Sequence, residues 1–147
     1  MTEFQAGAVK TPWHLWVVGV VSLLWNAGGA SDYTMTQMRY EPYMSQFTPE
    51  QLEYFYGFPA WMDSVWAIGV WGAMAGSVLL LFRSRFAVHA FTIALFGLIV
   101  ASVYNYGLSN GLKVSGTGGA IFAVVIFLIS VFLLAYARSM AHSRVLR

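Results

Sequence analysis

The stretch VWGAMAGSVLLLFRSRFAVHAFTIALF, residues 70–96, holds two apolar runs on either side of a short basic turn. Extended in both directions, the runs cover residues 61–82 and 86–107. Each is long enough to cross a hydrocarbon core about 30 Å thick, which takes about 20 helical residues. We therefore predict two antiparallel transmembrane helices joined by a tight turn at 83–85.

Two further apolar segments flank this hairpin, at residues 13–33 and 118–138. Of the 147 residues, 59% are hydrophobic and only 10% are charged, whereas roughly a quarter of the residues of a soluble domain are charged. The sequence predicts an all-α membrane protein, a four-helix transmembrane bundle that forms a single integral membrane domain over residues 1–147.

Basic residues mark one side of the predicted membrane. Lys and Arg in short loops and near helix ends favour the cytoplasmic side. By this rule both termini and the 83–85 turn face the cytoplasm, and the loops at 34–60 and 108–117 face outward. The residues that decide this orientation are Lys10, Arg83, Arg85, Arg138, Arg144 and Arg147.

The longer outward loop contains the pattern of a short helix. Thr48, Pro49 and Gln51 form the signature of an N-cap, a proline in the first turn and a capping box. The following residues place Leu52, Phe55 and Tyr56 on one side of a helix over about 49–56. We predict that this amphipathic helix lies flat at the outer membrane interface.

Small and polar residues recur three and four positions apart on the first three predicted helices. Small residues let membrane helices approach closely, and Asn or Ser on the same stripe can hydrogen-bond across the contact for about 0.6 and up to roughly 2 kcal/mol. We expect Asn26 and Asn105 to face each other or a shared water. The predicted polar seam comprises Ser22, Asn26 and Asn105, and the predicted packing glycines are Gly19, Gly29, Gly69, Gly72, Gly76 and Gly97.

Two acids and two histidines are candidates for chemistry. Asp32 and Asp63 fall at predicted outer helix ends, where they could form an ion or proton site or simply be hydrated at the interface. His14 and His89 fall at predicted cytoplasmic helix starts, where two imidazoles could ligate a haem iron or a chlorophyll-type magnesium. The alternative interpretation is two interfacial histidines without a cofactor.

Several enzyme classes find no support in the sequence. The chain has no cysteine, which excludes thiolate nucleophiles and Cys-ligated metals. No strand-turn-helix context supports a Ser-His-Asp hydrolase, and the glycines at 116–119 lack the flanks of a phosphate-binding loop. The net charge of +2 reflects membrane topology and does not indicate nucleic-acid binding. We therefore expect no enzymatic activity, no metal site and no cofactor beyond the histidine alternative.

Four segments together resemble a known family. These are HLWVVGVVSLLWNAGGASDYTMTQ (14–37), TPEQLEYFYGFPAW (48–61), WAIGVWGAMAGSVLLLFRSR (66–85) and YARSM (136–140). They are similar to the small four-helix inner-membrane proteins of proteobacteria that often carry the automatic label "sugar transporter". The resemblance implies a multi-pass protein of the bacterial inner membrane, and it transfers no catalytic or substrate residue.

The sequence thus favours three functions in a definite order. The first is a non-enzymatic accessory or interaction subunit that contacts the lipid bilayer and other membrane subunits, or a second copy of itself. The alternative is an oligomeric permease for a small, sugar-type solute, although no paired repeat or broken helix supports a carrier. The third is a haem- or pigment-binding bundle that uses His14 and His89.

Overall fold

The computed structural model describes residues 9–147, of which 82% are helical and none lie in a strand. The prediction of an all-α protein is therefore confirmed for this part of the chain. The elements, in chain order, are α1 (Trp13–Gln37), α2 (Glu41–Met44), α3 (Pro49–Tyr56), α4 (Ala60–Leu81), α5 (Phe86–Val103), a π-helical turn (Tyr104–Leu108) and α6 (Gly111–His142).

Three of these helices are long and apolar enough to cross a membrane: α4, α5 together with the π-helical turn, and α6. This confirms the prediction of a membrane protein with a helical bundle. Helix α1 has 25 residues, so it is also long enough, but Trp, Gly, Ser and Asn make it less apolar than the other three. A fourth span therefore stays a prediction.

Helix α4 lies between α1 and α5 and packs against both. Its contact with α5 is close because small residues meet there: a Cβ atom at Gly97 would stand 3.3 Å from the backbone nitrogen of Gly69. One turn further along, a Cβ atom at Gly72 would stand 3.4 Å from the Cβ of Ala94. Close backbone approach at small residues is the usual basis of helix pairing in membranes.

Helix α6 packs mainly on α5, and side chains such as Phe122, whose ring centroid lies 6.0 Å from that of Trp25, also contact α1. It begins earlier than the sequence predicts, because Gly111 lies against the π-helical turn. A Cβ atom at that position would collide with the carbonyl oxygen of Asn105. Gly116 then adopts φ 69° and interrupts the helix, a conformation that favours glycine.

The charges define the two ends of the bundle. We call the end that carries Arg83, Arg85 and Arg138 the basic end, and the opposite end, with Asp32 and Asp63, the acidic end. The hydrophobic core lies toward the basic end, where Phe91 from α5 is buried against residues of α1, α4 and α6. Its other buried members are Leu15, Leu80, Ala87, Leu133, Ala137, Val145 and Leu146.

The residues after α6 complete this core. Val145 and Leu146 are buried in it, and Arg147 pairs with the α4–α5 turn through its backbone. Its N–H donates to the carbonyl of Arg83 at 2.7 Å, and its carbonyl accepts from the N–H of Arg85 at 2.9 Å. The segment after α6 therefore joins the helix ends at the basic end.

Candidate functional site

A polar network joins α1 to α4 in the middle of the bundle. Asn26 donates its side-chain N–H to the Oγ of Ser77 at 2.8 Å and to the carbonyl of Ala73 at 3.1 Å. The Ser22 and Ser77 hydroxyl oxygens lie 3.0 Å apart. All three polar side chains are buried. The network holds the two helices in one register, because a shift along either axis would separate these partners.

The amide N–H and hydroxyl donors of this network have partners within the chain. Ser77 also donates to the carbonyl of Ala73, and Ser22 can donate to the carbonyl of Gly19. Within residues 9–147, no buried side-chain nitrogen or oxygen lacks a partner. A hydrogen-bonded network of this kind stabilises a unique helix arrangement.

The sequence did not single out Ser77. Ser77 directly follows Gly76, one of the predicted packing glycines. It therefore lies on the adjacent face of α4, which contacts α1. The spacing of Ser77 four residues after Ala73 could have indicated its back-bond to the helix carbonyl. No pattern in the sequence alone indicated that Asn26 would be its partner.

Asn105 lies in a second polar cluster, away from Asn26. The hydroxyl of Tyr54 in α3 donates to the Oδ1 of Asn105 at 2.5 Å and lies 2.7 Å from the Oγ of Ser109. The Asn105 amide donates to the carbonyl of Ala101. Burial raises the pKa of Tyr54, so its hydroxyl stays protonated and able to donate. This cluster attaches the loop helix to the end of α5.

The expected pairing of Asn26 with Asn105 is therefore wrong. Asn26 lies at the level of Ala73, and that part of α4 contacts α5 near Ala94. Asn105 is eleven residues further along the helix, or about 16 Å at 1.5 Å per residue. The prediction placed both asparagines in the outer halves of their helices. It did not account for the level at which α1 packs against α4.

The two candidate acids are held by separate partners. The hydroxyl of Tyr43 donates to the Oδ1 of Asp32, and the amide of Gln37 donates to the Oδ1 of Asp63 at 3.0 Å. Burial, followed by the hydrogen bond to Asp32 and its negative charge, raises the pKa of Tyr43 to about 12. No group of three or more His, Asp or Glu side chains within residues 9–147 could hold a metal ion.

Aromatic rings surround these acids at the acidic end. Tyr33 meets the edge of Trp66 with ring centroids 5.0 Å apart, and Phe58 contacts both Trp66 and Tyr54. Edge-to-face contacts of this kind add to the energy of buried area. We call these rings the aromatic cluster, and its members are Tyr33, Tyr43, Phe47, Tyr54, Phe55, Phe58, Trp61, Trp66 and Tyr104.

The two candidate histidines lie in different settings. The Nδ1 atom of His14 is hydrogen-bonded to the hydroxyl of Tyr136, which joins α1 to α6. His89 is exposed, and its ring tilts against Phe86 on the same helix at a centroid distance of 5.8 Å. None of these contacts links one histidine to the other, and ligation of a haem or pigment stays a prediction.

The predicted packing glycines on α1 differ in how closely they are approached. A Cβ atom at Gly19 would collide with the side chain of Leu81, whereas one at Gly29 would only touch Val70 at 3.8 Å. Gly76 on α4 lies directly against the ring of Phe91. The glycines therefore mark the α1–α4 and α4–α5 contacts, and among them the closest approach to the backbone of a neighbouring helix is at Gly97, against Gly69.

The chain matches no known protein family, no curated protein and no solved structure.

Proposed function

We propose that this chain is a small, non-enzymatic, multi-pass inner-membrane protein that acts as an accessory or interaction subunit of a larger membrane assembly. The proposal includes four spans, with α1 as the first. The distribution of basic residues supports cytoplasmic termini, since the basic end would then face the cytoplasm. Helix α3 would lie at the outer interface, and the resemblance to proteobacterial four-helix proteins supports a bacterial inner membrane.

The observation that carries this proposal is the exposure of α6. Of its most apolar 18 residues, 11% are buried, compared with 22% for α5. Phe122, Leu128 and Phe132 are each more than half exposed. Such a surface needs either lipid or another transmembrane helix against it, because large apolar patches are rarely left in water.

A groove on another face of α6 favours a helix as the occupant. It runs between α5 and α6, has a volume of about 320 Å³ and is almost wholly apolar. Small residues at its floor would admit a protruding side chain, which is how transmembrane helices interlock. The groove is lined by Ser102, Tyr106, Ala120, Ala123, Val124 and Phe127. We propose that a transmembrane helix of a partner subunit packs there.

The polar network between α1 and α4 supports a scaffold more than a carrier, because its donors bond within the bundle. Ser22, Asn26 and Ser77 bond to one another and to helix carbonyls, whereas a carrier keeps a polar site near the middle of the membrane for its solute. Transport of a sugar-type solute would accordingly require a path between several copies. The accessory function requires no such path.

Site-specific photo-crosslinking in native membranes tests the accessory function. Benzoylphenylalanine replaces Val124 or Phe127, which line the groove, and a control replaces Phe96 on α5, which is 68% exposed and does not line the groove. We expect the α6 positions to give one discrete heteromeric product and Phe96 to give none. Products with lipid alone, or only a dimer of this chain, would contradict a role as a subunit of a heteromeric assembly.

Native mass spectrometry of the chain extracted from its own membranes complements the crosslinks. A complex of fixed stoichiometry would support the proposal and identify the partner. An absorption spectrum of the same sample tests the histidine alternative, because a haem or chlorophyll-type pigment on His14 and His89 would absorb visible light. A homo-oligomer without other chains would favour the oligomeric permease, which flux measurements in proteoliposomes would test.

A further inference from the structure

A depression at the basic end belongs to none of the clusters described above. It lies between the start of α5 and the end of α6 and has a volume of about 510 Å³. Arg85 and Arg138 border it from the two helices, and Ser139 and His142 add further polar groups. Val88 and Ala141 provide its apolar part. We call this feature the basic depression.

No acidic residue is close in sequence to either arginine. The chain from residue 64 to residue 147 contains no Asp or Glu, and neither does the stretch from residue 9 to residue 31. The described acids lie between Asp32 and Asp63, at the acidic end. Arg85 and Arg138 are exposed. Two guanidinium groups therefore border one depression without an Asp or Glu side chain from the neighbouring segments.

The basic depression lies where a lipid headgroup would be. Arg138 directly follows the apolar run of α6, and Arg85 directly precedes that of α5. At the same end Phe82 and Phe86 are 77% and 68% exposed, so apolar side chains border the basic surface. Basic pockets between transmembrane helices on the cytoplasmic side are typical binding sites for anionic lipid headgroups.

We propose that the basic depression binds the phosphate-diester headgroup of an anionic phospholipid. The planar guanidinium groups of Arg85 and Arg138 would each donate paired hydrogen bonds to phosphate oxygens, a geometry that suits arginine particularly well. The hydroxyl of Ser139 can donate a further bond. Val88 and Ala141 would contact the glycerol carbons, and the acyl chains would follow the exposed apolar face beside Phe86.

This inference goes beyond the proposed accessory function and does not depend on a protein partner. A bound lipid would join α5 to α6 at the basic end, where the residues after α6 already pair with the α4–α5 turn. The exposed rings of Phe82 and Phe86 lie at the same end of the bundle, which favours a lipid over a soluble phosphate compound. The lipid would therefore act as a structural ligand.

The test is a lipid titration of the purified full-length chain in mild detergent, followed by native mass spectrometry. Phosphatidylglycerol serves as the anionic probe, phosphatidylcholine as the zwitterionic probe and inorganic phosphate as the free anion. We expect wild type to retain one phosphatidylglycerol in preference to phosphatidylcholine. The Arg85→Gln/Arg138→Gln variant should bind it at least about tenfold more weakly, since each charged hydrogen bond corresponds to roughly that factor.

A matched control removes two charges from the same end without touching the depression. The Lys10→Gln/Arg144→Gln variant should retain wild-type affinity. Equal weakening in both variants would overturn the proposal, because it would indicate diffuse attraction without a site. Equal binding of the two lipids, or displacement of phosphatidylglycerol by inorganic phosphate, would also overturn it.

Folding of the variants is checked by circular dichroism and gel filtration. If the double variant does not fold, Arg138→Gln alone carries the test, because this exposed side chain lies near the end of α6 and is not a member of the hydrophobic core. Arg138→Lys keeps the positive charge and removes the planar guanidinium, so it tests whether the geometry of the hydrogen bonds matters in addition to the charge. Preference for phosphatidylglycerol should fall in Arg138→Lys as well, since lysine cannot bind phosphate through two parallel bonds.

Discussion

Asn26 and Ser77 are 51 positions apart in the sequence, and their side chains meet at 2.8 Å inside the bundle. The bond connects α1, whose composition is the least apolar of the four long helices, to α4, which packs on both neighbours. Because the surrounding helices exclude water, the amide of Asn26 has few alternatives to these protein partners. The position of α1 therefore depends on a few specific polar contacts.

Replacing Asn26 by leucine should weaken the packing of α1 on α4. Leucine has a similar size but cannot donate to Ser77 or to the carbonyl of Ala73. Interhelical bonds in membranes contribute about 0.6 and up to roughly 2 kcal/mol, so we expect a loss of free energy of unfolding in that range. Reversible unfolding in mixed micelles measures it.

A double-mutant cycle isolates the contact. Asn26→Ala combined with Ser77→Ala should show a coupling energy of about 0.6 kcal/mol or more. The control cycle combines Asn26→Ala with Ser130→Ala, since Ser130 donates only to the carbonyl of Ile126 on its own helix. Additive effects in both cycles would refute the importance of the Asn26–Ser77 bond.

Alanine at Gly97 should destabilise the α4–α5 contact. The new methyl group would stand 3.3 Å from the backbone nitrogen of Gly69 and from the carbonyl oxygen of Val65, so the helices themselves must separate. Overpacking of this kind costs about 1–3 kcal/mol. Unfolding measurements should show this loss.

Gly28→Ala is the matched control for Gly97→Ala. Nothing lies within 4 Å of a Cβ atom at Gly28, so the substitution adds no clash. Alanine favours the helix over glycine by about 0.5–1 kcal/mol, and we expect Gly28→Ala to leave stability unchanged or raise it by that amount. Equal effects of the two substitutions would contradict the close approach at Gly97.

Tyr43 should ionise at unusually high pH. Burial and the bond to Asp32 raise the pKa of its hydroxyl to about 12, above the ordinary value near 10. Because the folded-state pKa is the higher one, the stabilisation is complete below pH 10 and is lost as pH rises toward 12. The difference between the ultraviolet titrations of wild type and Tyr43→Phe measures this group.

The cause of the shift can be tested with two aspartate variants. Asp32→Asn removes the negative charge beside Tyr43, so the pKa of Tyr43 should fall toward 10. Asp63→Asn should leave it unchanged, since Asp63 bonds to Gln37. A fall in both variants would indicate a general effect of the acidic end, and the assignment to Asp32 would then be wrong.

Tyr54→Phe should loosen α3. The substitution removes the hydroxyl that bonds to Asn105 and Ser109, the polar attachment of this helix to the end of α5. Loss of such a bond costs about 0.5–1.5 kcal/mol, so amide hydrogen exchange in Pro49–Tyr56 should accelerate by up to roughly tenfold. Tyr56→Phe serves as the control. It also removes a hydroxyl from α3 but keeps the ring that lies below the Arg39 guanidinium.

The sequence predicted those features that depend on local pattern. Helix type and the hairpin at 83–85 followed from continuous apolar runs, and the capping box at Thr48 and Gln51 followed from residue spacing alone and is present. The start of α6 was wrong by several residues, since the sequence of 111–117 is polar and glycine-rich. Its helical conformation depends on Gly111 packing against the π-helical turn.

Long-range partners could not be predicted in the same way. Helical periodicity correctly placed Ser22 and Asn26 on one face of α1, but it carries no information on the depth at which α4 crosses that face. The pairing of Tyr54 with Asn105 also depends on the path of a loop between α1 and α4. Which side chains meet depends on how the helices are arranged in space, and the residue pattern of a single helix does not contain that information.

The separation between Asn26 and Ser77 also affects how the chain is made. Translation proceeds at about 5–20 residues per second, so Ser77 is synthesised roughly 3–10 s after Asn26. During that interval the nascent first helix has no α4 against which to place its amide. During synthesis Asn26 must therefore be solvated by water or by other proteins, and the packing of α1 on α4 becomes a late step of biogenesis.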